Sequence, residues 1–341
     1  MTKSQYVTID TRTSRWPHRL AMLLLCATIM LIWVGGFVTT IGAGMAFETW
    51  PDSDGKNLFL YNFFFASFDK LVEHSHRLFG ALIGMITIAL CVSLWCADKR
   101  RWLGWLGTAA LGLVIFQGVL GGMRVKANDP QLAKLHGCVA PLFFALVVAI
   151  VVLTSRWWHT RQAVEHSSAG RLQRLAVFTM ILAYLQLVLG AQLRHVATLS
   201  SGQFKMAVFF HLLLAAALVV QVFLLLGFCW RMHDRSFSRP AALLAGLVSL
   251  QLLLGGTTWL FKYGPPGWLR SMFAETPFVA GWTNTAGAPF ASIVLTTHVA
   301  LGSLILGTSL FLSMRLLRGC RGTDIEKVAV PRHLKVVGVM V

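Results

Sequence analysis

The sequence predicts an all-α membrane protein whose eight transmembrane helices form two pseudo-repeated four-helix bundles. Of its 341 residues, 56% are hydrophobic and only 13% are charged, and the mean hydropathy is +0.67. A soluble domain of this length does not need so much apolar surface. The apolar residues fall into eight segments, each near the ~20 residues that a spanning helix needs, at about 20–41, 73–95, 103–123, 133–154, 172–193, 206–229, 240–261 and 290–314.

Each segment is expected to be helical, because a backbone in hydrocarbon must satisfy its hydrogen bonds within its own segment. The first segment follows a polar, basic tail (residues 1–19) and shows no small-residue cleavage site. This pattern favours a retained helix over a cleaved signal peptide.

The basic residues indicate the membrane topology. The net charge is +17, and 20 of the 30 Lys and Arg residues lie on one predicted side of the membrane, at 1–19, 96–102, 155–174, 230–239 and 315–341. This bias predicts that both termini are cytoplasmic. The basic residues then act as topology signals and contact the phospholipid headgroups of the lipid bilayer, and no nucleic-acid partner is expected.

The cysteines predict neither a structural disulfide nor a thiolate metal site. They are scattered without the spacing of a zinc site, as Cys26, Cys91, Cys96, Cys138, Cys229 and Cys320. Small apolar side chains that fill space are the expected role.

A short motif recurs in the odd-numbered segments and indicates an internal repeat. FQGVLGGMRV (116–125), LQLVLGAQLR (185–194) and LQLLLGGTTW (250–259) each place a Gln four residues before a Gly, and IWVGGFVTTIGAG (32–44) is a looser version. An outer loop follows each motif, and the next helix carries a histidine near its outer end. An even number of helices per half suits parallel repeats. The predicted parts are bundles at 20–155 and 171–316, a cytoplasmic linker at 156–170, and cytoplasmic tails at 1–19 and 317–341.

These four histidines are His76, His136, His211 and His298. Each is followed four residues later, on the same helical face, by glycine or alanine. Small residues there leave room for something flat beside the imidazole, although they also aid helix packing. Intramembrane histidines are rare and usually functional. Two per bundle near one membrane face predict two bis-imidazole haem sites, with packing or proton-relay histidines as the alternative.

The second segment begins LVEHSHRLFG (71–80) and carries an acidic residue beside its histidine. Glu73, His76 and Arg77 share one helical face, whereas His74 points ~200° away from His76. We therefore expect His76 to be the inward ligand and His74 a headgroup-level or packing residue. The residues that match Glu73 in the other three helices are apolar: Ala133, Val208 and Leu295. A reacting cofactor needs a proton acceptor or charge stabiliser, so chemistry is expected in the first bundle.

Haem propionates should find cationic partners at the outer polar edge. Four residues at that level are candidate propionate contacts: Arg77, Arg124, Arg194 and His195. Snorkelling of the side chain to the interface is the alternative for the arginines. For Arg77, an i,i+4 ion pair with Glu73 is a further alternative.

Together these residues resemble the haem A synthase family of bacterial inner membranes and mitochondria. The likeness covers essentially all eight segments and rests on Glu73-x-x-His76-Arg77, the Gly-rich odd helices, GAGMAFETWP (42–51), and His136, His211 and His298. The resemblance implies an oxidoreductase that converts the C8 methyl group of haem O to the formyl group of haem A by successive hydroxylations. It implies that His76 and His136 bind the iron of the substrate haem and that Glu73 is the catalytic carboxylate. It further implies that His211 and His298 bind haem b, an electron-transfer cofactor.

The resemblance also implies partners, namely a haem O synthase, an electron donor that it does not identify, and assembly factors of terminal oxidases. The sequence departs from the family pattern in two places. Residues 42–72 lack the cysteine pair that many relatives carry, and His74 stands where an aromatic residue is common. The loop at 262–289 is long enough for a short amphipathic helix that covers a haem edge.

Two other classes of protein stay open at this point. A dihaem b-type electron-transfer membrane subunit without substrate chemistry explains the four histidines but gives Glu73 no task. A transporter, suggested by the repeat and the central glycines, would bind no haem. The haem content of the purified protein distinguishes a haem A synthase from a dihaem subunit and from a transporter.

Overall fold

The computed structural model describes residues 14–195, 202–264 and 289–322. Its helices are α1 (Trp16–Thr40), α2 (Phe68–Ala97), α3 (Arg101–Ala127), α4 (Pro130–Thr154), α5 (Arg156–Thr160), α6 (Ala169–His195), α7 (Gly202–Arg231), α8 (Arg235–Tyr263) and α9 (Pro289–Gly319). All but the short α5 are long and apolar enough to cross a membrane. The eight predicted transmembrane helices are confirmed, whereas the pseudo-repeat of the two halves stays a prediction.

Each spanning helix is longer than the apolar segment that predicted it. For example, α2 begins at Phe68 and α9 continues to Gly319. Lipid demands apolar residues only within the hydrocarbon layer, so the end turns at headgroup level carry polar residues that hydropathy does not detect. Local capping fixes some ends: the Asp129 side chain accepts a hydrogen bond from the Gln131 backbone N–H, and Pro130 starts α4.

The spanning helices pack as two groups of four. In the N-terminal bundle (α1–α4), α1 contacts α2 and α4, and α3 contacts the same two helices. In the C-terminal bundle (α6–α9), α9 contacts α6 and α8, and α7 contacts the same two. Each bundle has its own buried apolar core. Phe144, Val148 and Val152 of α4 form a third cluster with side chains of α1 and α9, which joins the bundles.

The segment predicted as a cytoplasmic linker is partly structured. Its short helix α5 begins after Ser155, whose side chain accepts a hydrogen bond from the Trp158 backbone N–H. Strand β1 (Val164–Glu165) then pairs in parallel with β2 (Cys320–Arg321) beyond α9. The predicted bundle edges at 171 and 316 therefore lie inside helices, because α6 begins at Ala169 and α9 ends at Gly319.

The first outer loop (residues 41–67) is a folded cover on the outer ends of α2 and α3. It contains two short 3-10 helices, Ala43–Met45 and Phe63–Phe65, and Phe47 is fully buried. The Trp50 ring lies against Gly122 of α3 and leaves no room there for an added methyl group. The amphipathic helix predicted between α8 and α9 falls at 265–288, outside the described residues.

Candidate functional site

In the structure, each of the four motif glycines lies directly against the imidazole of the histidine that follows it in sequence. A methyl group added at the glycine would meet Cε1 of the ring at 2.6 Å for Gly35 and His76, 3.1 Å for Gly121 and His136, 3.5 Å for Gly190 and His211, and 3.1 Å for Gly255 and His298. A side chain at Gly35 would displace the ring of His76, and one at Gly121 or Gly255 would crowd the neighbouring ring. One at Gly190 would make an ordinary contact with His211. The glycines therefore let each histidine helix approach its preceding helix closely.

The glutamines of the motif hold the backbone of the same histidines. Their side-chain amides donate to the histidine carbonyl oxygens, at 2.8 Å for Gln117 and His136, 3.1 Å for Gln186 and His211, and 3.0 Å for Gln251 and His298. The matching residue of the first motif is Leu31, four residues before Gly35, and it cannot donate. The sequence located these glutamines, but their role became visible only in the structure.

Two of the imidazoles have defined hydrogen bonds at the ring. Nδ1–H of His136 donates to the Gln117 carbonyl oxygen at 3.1 Å, which leaves the lone pair on Nε2. Nε2 of His211 instead lies 3.2 Å from the side-chain nitrogen of Gln186. His136 is therefore fixed in the tautomer that can bind a metal through Nε2.

The histidines come together in the two pairs that the sequence predicts. His76 and His136 lie close enough to interact electrostatically, and so do His211 and His298. The described residues contain no group of three or more His, Cys, Asp or Glu side chains that could hold a metal ion. Each centre therefore offers two imidazoles, which suits axial ligation better than a polydentate metal cage.

Glu73 is the only buried acidic residue in the described ranges, with 3% of its surface exposed. Oε1 accepts two hydrogen bonds from Arg77, from Nε at 3.2 Å and from Nη2 at 2.8 Å. Oε2 accepts one, from the Phe47 backbone N–H at 3.1 Å. The carboxylate thus links α2 to the first outer loop.

Arg77 extends the same link. Its Nη1 donates to the carbonyl oxygens of Thr49 at 2.9 Å and Asp52 at 2.8 Å. Its guanidinium also lies 4.9 Å from the centre of the Phe47 ring, within the range of a cation–π contact. The ion pair with Glu73 is present, and Arg77 divides its four hydrogen bonds equally between Glu73 and the carbonyl oxygens of the loop.

His74 packs beneath the loop, away from the face of His76. It is fully buried, and its Nδ1 lies 3.2 Å from the Ser53 hydroxyl. The rings of Tyr61 and Phe63 lie 5.0 and 5.1 Å from its own. The structure therefore supports a packing role for His74.

The remaining candidate cations lie near the outer ends of the helices. Arg124 donates to the Gly44 carbonyl oxygen at 3.0 Å and is near enough to act electrostatically on His76 and His136. Arg194 of α6 donates through Nη2 to two groups of α1, the Gly36 carbonyl oxygen and the Thr40 hydroxyl, at 2.8 and 2.7 Å. The side chain of His195 lies outside the described part of the structure.

The family model of cytochrome oxidase assembly proteins (COX15-CtaA) matches residues 18–204. This span is more than half of the chain, and it includes Glu73, His76 and His136. The chain belongs to this family.

Relatives in the family carry the name heme A synthase. Those of Shouchella clausii and Alkalihalophilus pseudofirmus are 25% and 26% identical over 252 and 253 residues, which cover 69% and 67% of this chain and 82% of each relative. That of Brucella anthropi is 27% identical over 160 residues, or 43% of this chain and 42% of the relative. The predicted membership of the haem A synthase family is confirmed.

The residues of the first histidine pair fit a haem. His136 presents a free Nε2 lone pair, and Nδ1 of His76 is enclosed without a hydrogen-bond partner among the described residues. On the face of His76, Gly80 and Gly84 open onto empty space, since an added methyl group would meet nothing within 4 Å. A flat ligand can therefore lie against α2 below the imidazole.

The second pair also fits, but less directly. Nδ1 of His211 and of His298 is enclosed without a partner in the described ranges. Gln186 must release Nε2 of His211 before an iron can bind there. The space that Gly302 was expected to leave beside His298 is filled, because an added methyl group would lie 2.7 Å from Leu187. At this position the small residue serves helix packing.

Proposed function

We propose that the protein is a haem A synthase that oxidises the C8 methyl group of haem O to the formyl group of haem A by successive hydroxylations. The substrate haem is bound in the N-terminal bundle, with His76 and His136 on its iron. The observation that carries the proposal is the buried carboxylate of Glu73, one helical turn from His76 on the same face. Glu73 is the one acidic residue that is buried among those the structure describes.

Glu73 is proposed as the catalytic residue. Arg77 occupies Oε1 with two hydrogen bonds and so fixes the orientation of the carboxylate. Oε2 has only the Phe47 N–H as a partner in the described ranges, so it is the oxygen that can accept a proton or face a developing positive charge. The folded loop above it excludes water from this side, which strengthens such electrostatic effects.

The C-terminal bundle is proposed to hold haem b between His211 and His298. When bound, haem b would supply one-electron transfer to the oxidation. The chain orients the two imidazoles through Gln186 and Gln251, which hold the histidine carbonyl oxygens. Gly190 provides close contact below the His211 ring.

Arg77, Arg124, Arg194 and His195 are proposed to contact haem propionates. Arg124 is the best supported, because it is near both histidines of the first pair. Arg194 gives both hydrogens of Nη2 to α1, so Nε and Nη1 would have to serve a propionate.

The eight spanning helices place the protein in a lipid bilayer. We propose the bacterial cytoplasmic membrane, with both termini in the cytoplasm, from the distribution of Lys and Arg. A haem O synthase that delivers the substrate, an electron donor and terminal oxidase assembly factors are the proposed protein partners.

The test is the identity of the haems that purify with the protein and with its Glu73→Gln variant. Wild type is expected to contain haem b together with haem O or its oxidised products. Glu73→Gln should retain haem b and haem O but yield no haem A. Asp69→Asn is the matched control, because Asp69 is an exposed carboxylate one turn further out on α2, and it should form product normally.

Two results would contradict the proposal. Wild type that contains only haem b would indicate a dihaem electron-transfer subunit. Undiminished haem A in Glu73→Gln would remove Glu73 from the chemistry.

A further inference from the structure

An uncharged aromatic segment of the first outer loop projects large side chains away from the protein. The segment is NLFLYNFFFASF, residues 57–68, between Lys56 and Asp69. Leu60, Phe64 and Phe65 are 80%, 81% and 90% exposed. Contiguous exposed apolar groups of this size usually mark an interaction surface.

The segment has an inward face and an outward face, and the two have different environments. Tyr61 and Phe63 turn inward and pack on the buried ring of His74. Their neighbours Phe59, Leu60, Phe64 and Phe65 are exposed. Packing of the loop therefore does not explain the outward side chains.

The exposed face continues into Phe68, which is 60% exposed, and from there into half-buried aromatic rings near the end of α1. Phe68, the first residue of α2, makes an edge-to-face contact with Phe37 in the last turns of α1, with 6.5 Å between ring centres. Phe37 in turn stacks on Trp33 at 5.5 Å. Aromatic rings at the ends of spanning helices lie where the headgroups meet the acyl chains.

We propose that Phe59, Leu60, Phe64 and Phe65 insert into the outer leaflet of the bilayer at this boundary. Acyl chains are the chosen occupant because the face is uncharged and continuous with Phe68 of α2 and with the aromatic rings near the end of α1. The exposed Lys56 at its edge suits the headgroup layer.

The insertion also has a consequence for the site. The same loop supplies the Phe47 N–H to Glu73 and the Ser53 hydroxyl to His74. Lipid that binds the outward side chains therefore also keeps the first outer loop in place over α2. The proposal does not depend on haem chemistry.

The test is photolabelling of the full-length protein in phosphatidylcholine nanodiscs that contain a lipid with a diazirine on its acyl chain. Peptide mass spectrometry should find lipid adducts on residues 59–65, as well as on the exposed α2 residues Met85 and Ile88, which serve as the positive control. Two outcomes overturn the proposal. In one, residues 59–65 carry no adducts and are oxidised by a water-phase radical probe; in the other, they are cross-linked to a polypeptide.

A variant separates anchoring from mere proximity to lipid. The double substitution Phe64→Gln and Phe65→Gln should lose the adducts and raise amide hydrogen exchange at residues 47–53 severalfold, on the order of threefold or more. Phe79→Gln, at an exposed position of α2 outside the segment, should leave that exchange unchanged. Unaltered exchange in the double variant would show that lipid does not hold the loop.

Discussion

Replacing Gly35 with alanine forces a methyl group against the imidazole of His76. The new carbon would lie 2.6 Å from Cε1, 3.2 Å from Nδ1 and 3.3 Å from Nε2 of that ring. Ordinary van der Waals separation needs about 3.4 Å or more, so the ring or the helix must retreat by about 0.8 Å from the 2.6 Å contact. The imidazole is rigid, and α1 and α2 are packed together along their lengths, so neither can yield freely.

The size of the effect follows from two opposing terms. Overpacking of this kind costs about 1–3 kcal/mol, whereas alanine gains about 1 kcal/mol over glycine within a helix. Gly35→Ala should therefore lose up to about 2 kcal/mol and a few degrees of thermal stability. Because the ring moves, the absorption spectrum of the haem that we propose to bind at His76 should change as well.

The other motif glycines provide a graded control. Gly190→Ala places its methyl group at an ordinary 3.5 Å from His211, and Gly121→Ala and Gly255→Ala are intermediate at 3.1 Å. The thermal stability of the four variants in one detergent should rise in the order Gly35, then Gly121 and Gly255, then Gly190, and the last should equal or exceed wild type. A Gly35→Ala protein as stable as Gly190→Ala, with an unaltered spectrum, would show that the contact with His76 is not this close.

Three further predictions concern other parts of the molecule. Arg194→Gln should lower stability by about 1–3 kcal/mol, because two charge-assisted hydrogen bonds from α6 to α1 are lost; Lys134→Gln, which removes one bond between α4 and α6, should cost less in the same thermal unfolding assay. His211→Ala should reduce the haem b spectrum more than His136→Ala does, and the reverse would exchange the two proposed sites. Asp54 accepts a hydrogen bond from Lys70 of α2, which lowers the pKa of the Asp54 carboxyl group. The stabilising effect of the ionised carboxylate should therefore be complete above pH about 4 and decrease as the pH falls further. The stability gap between wild type and Asp54→Asn should close over that acid range, and a gap that persists there would contradict the assignment.

The helices could be predicted from sequence because lipid imposes a strong and simple constraint on composition. The same constraint does not apply in the headgroup region. Hydropathy therefore does not predict the first turns of α2 or the last turns of α9. The pairing of His76 with His136, and of His211 with His298, followed from the recurring motif. The direct contact between Gly35 and His76 could not be predicted from the motif, because a long loop separates the two residues in sequence.

The parts that sequence could not provide lie mainly in irregular backbone. The Phe47 N–H that binds Glu73 and the carbonyl oxygens that bind Arg77 come from a loop without periodicity. Gly302 illustrates a different difficulty. A small residue in a membrane helix serves equally well for a cofactor or for packing, and here the Leu187 side chain occupies the space.

The most direct measurement is the haem stoichiometry and low-temperature electron paramagnetic resonance spectrum of the purified, oxidised protein, beside His76→Ala and His298→Ala variants. We expect one low-spin, bis-imidazole haem for each histidine pair, with each substitution removing or altering one of the two signals. A colourless protein, or signals that survive the loss of both imidazoles, would contradict haem binding by these histidines.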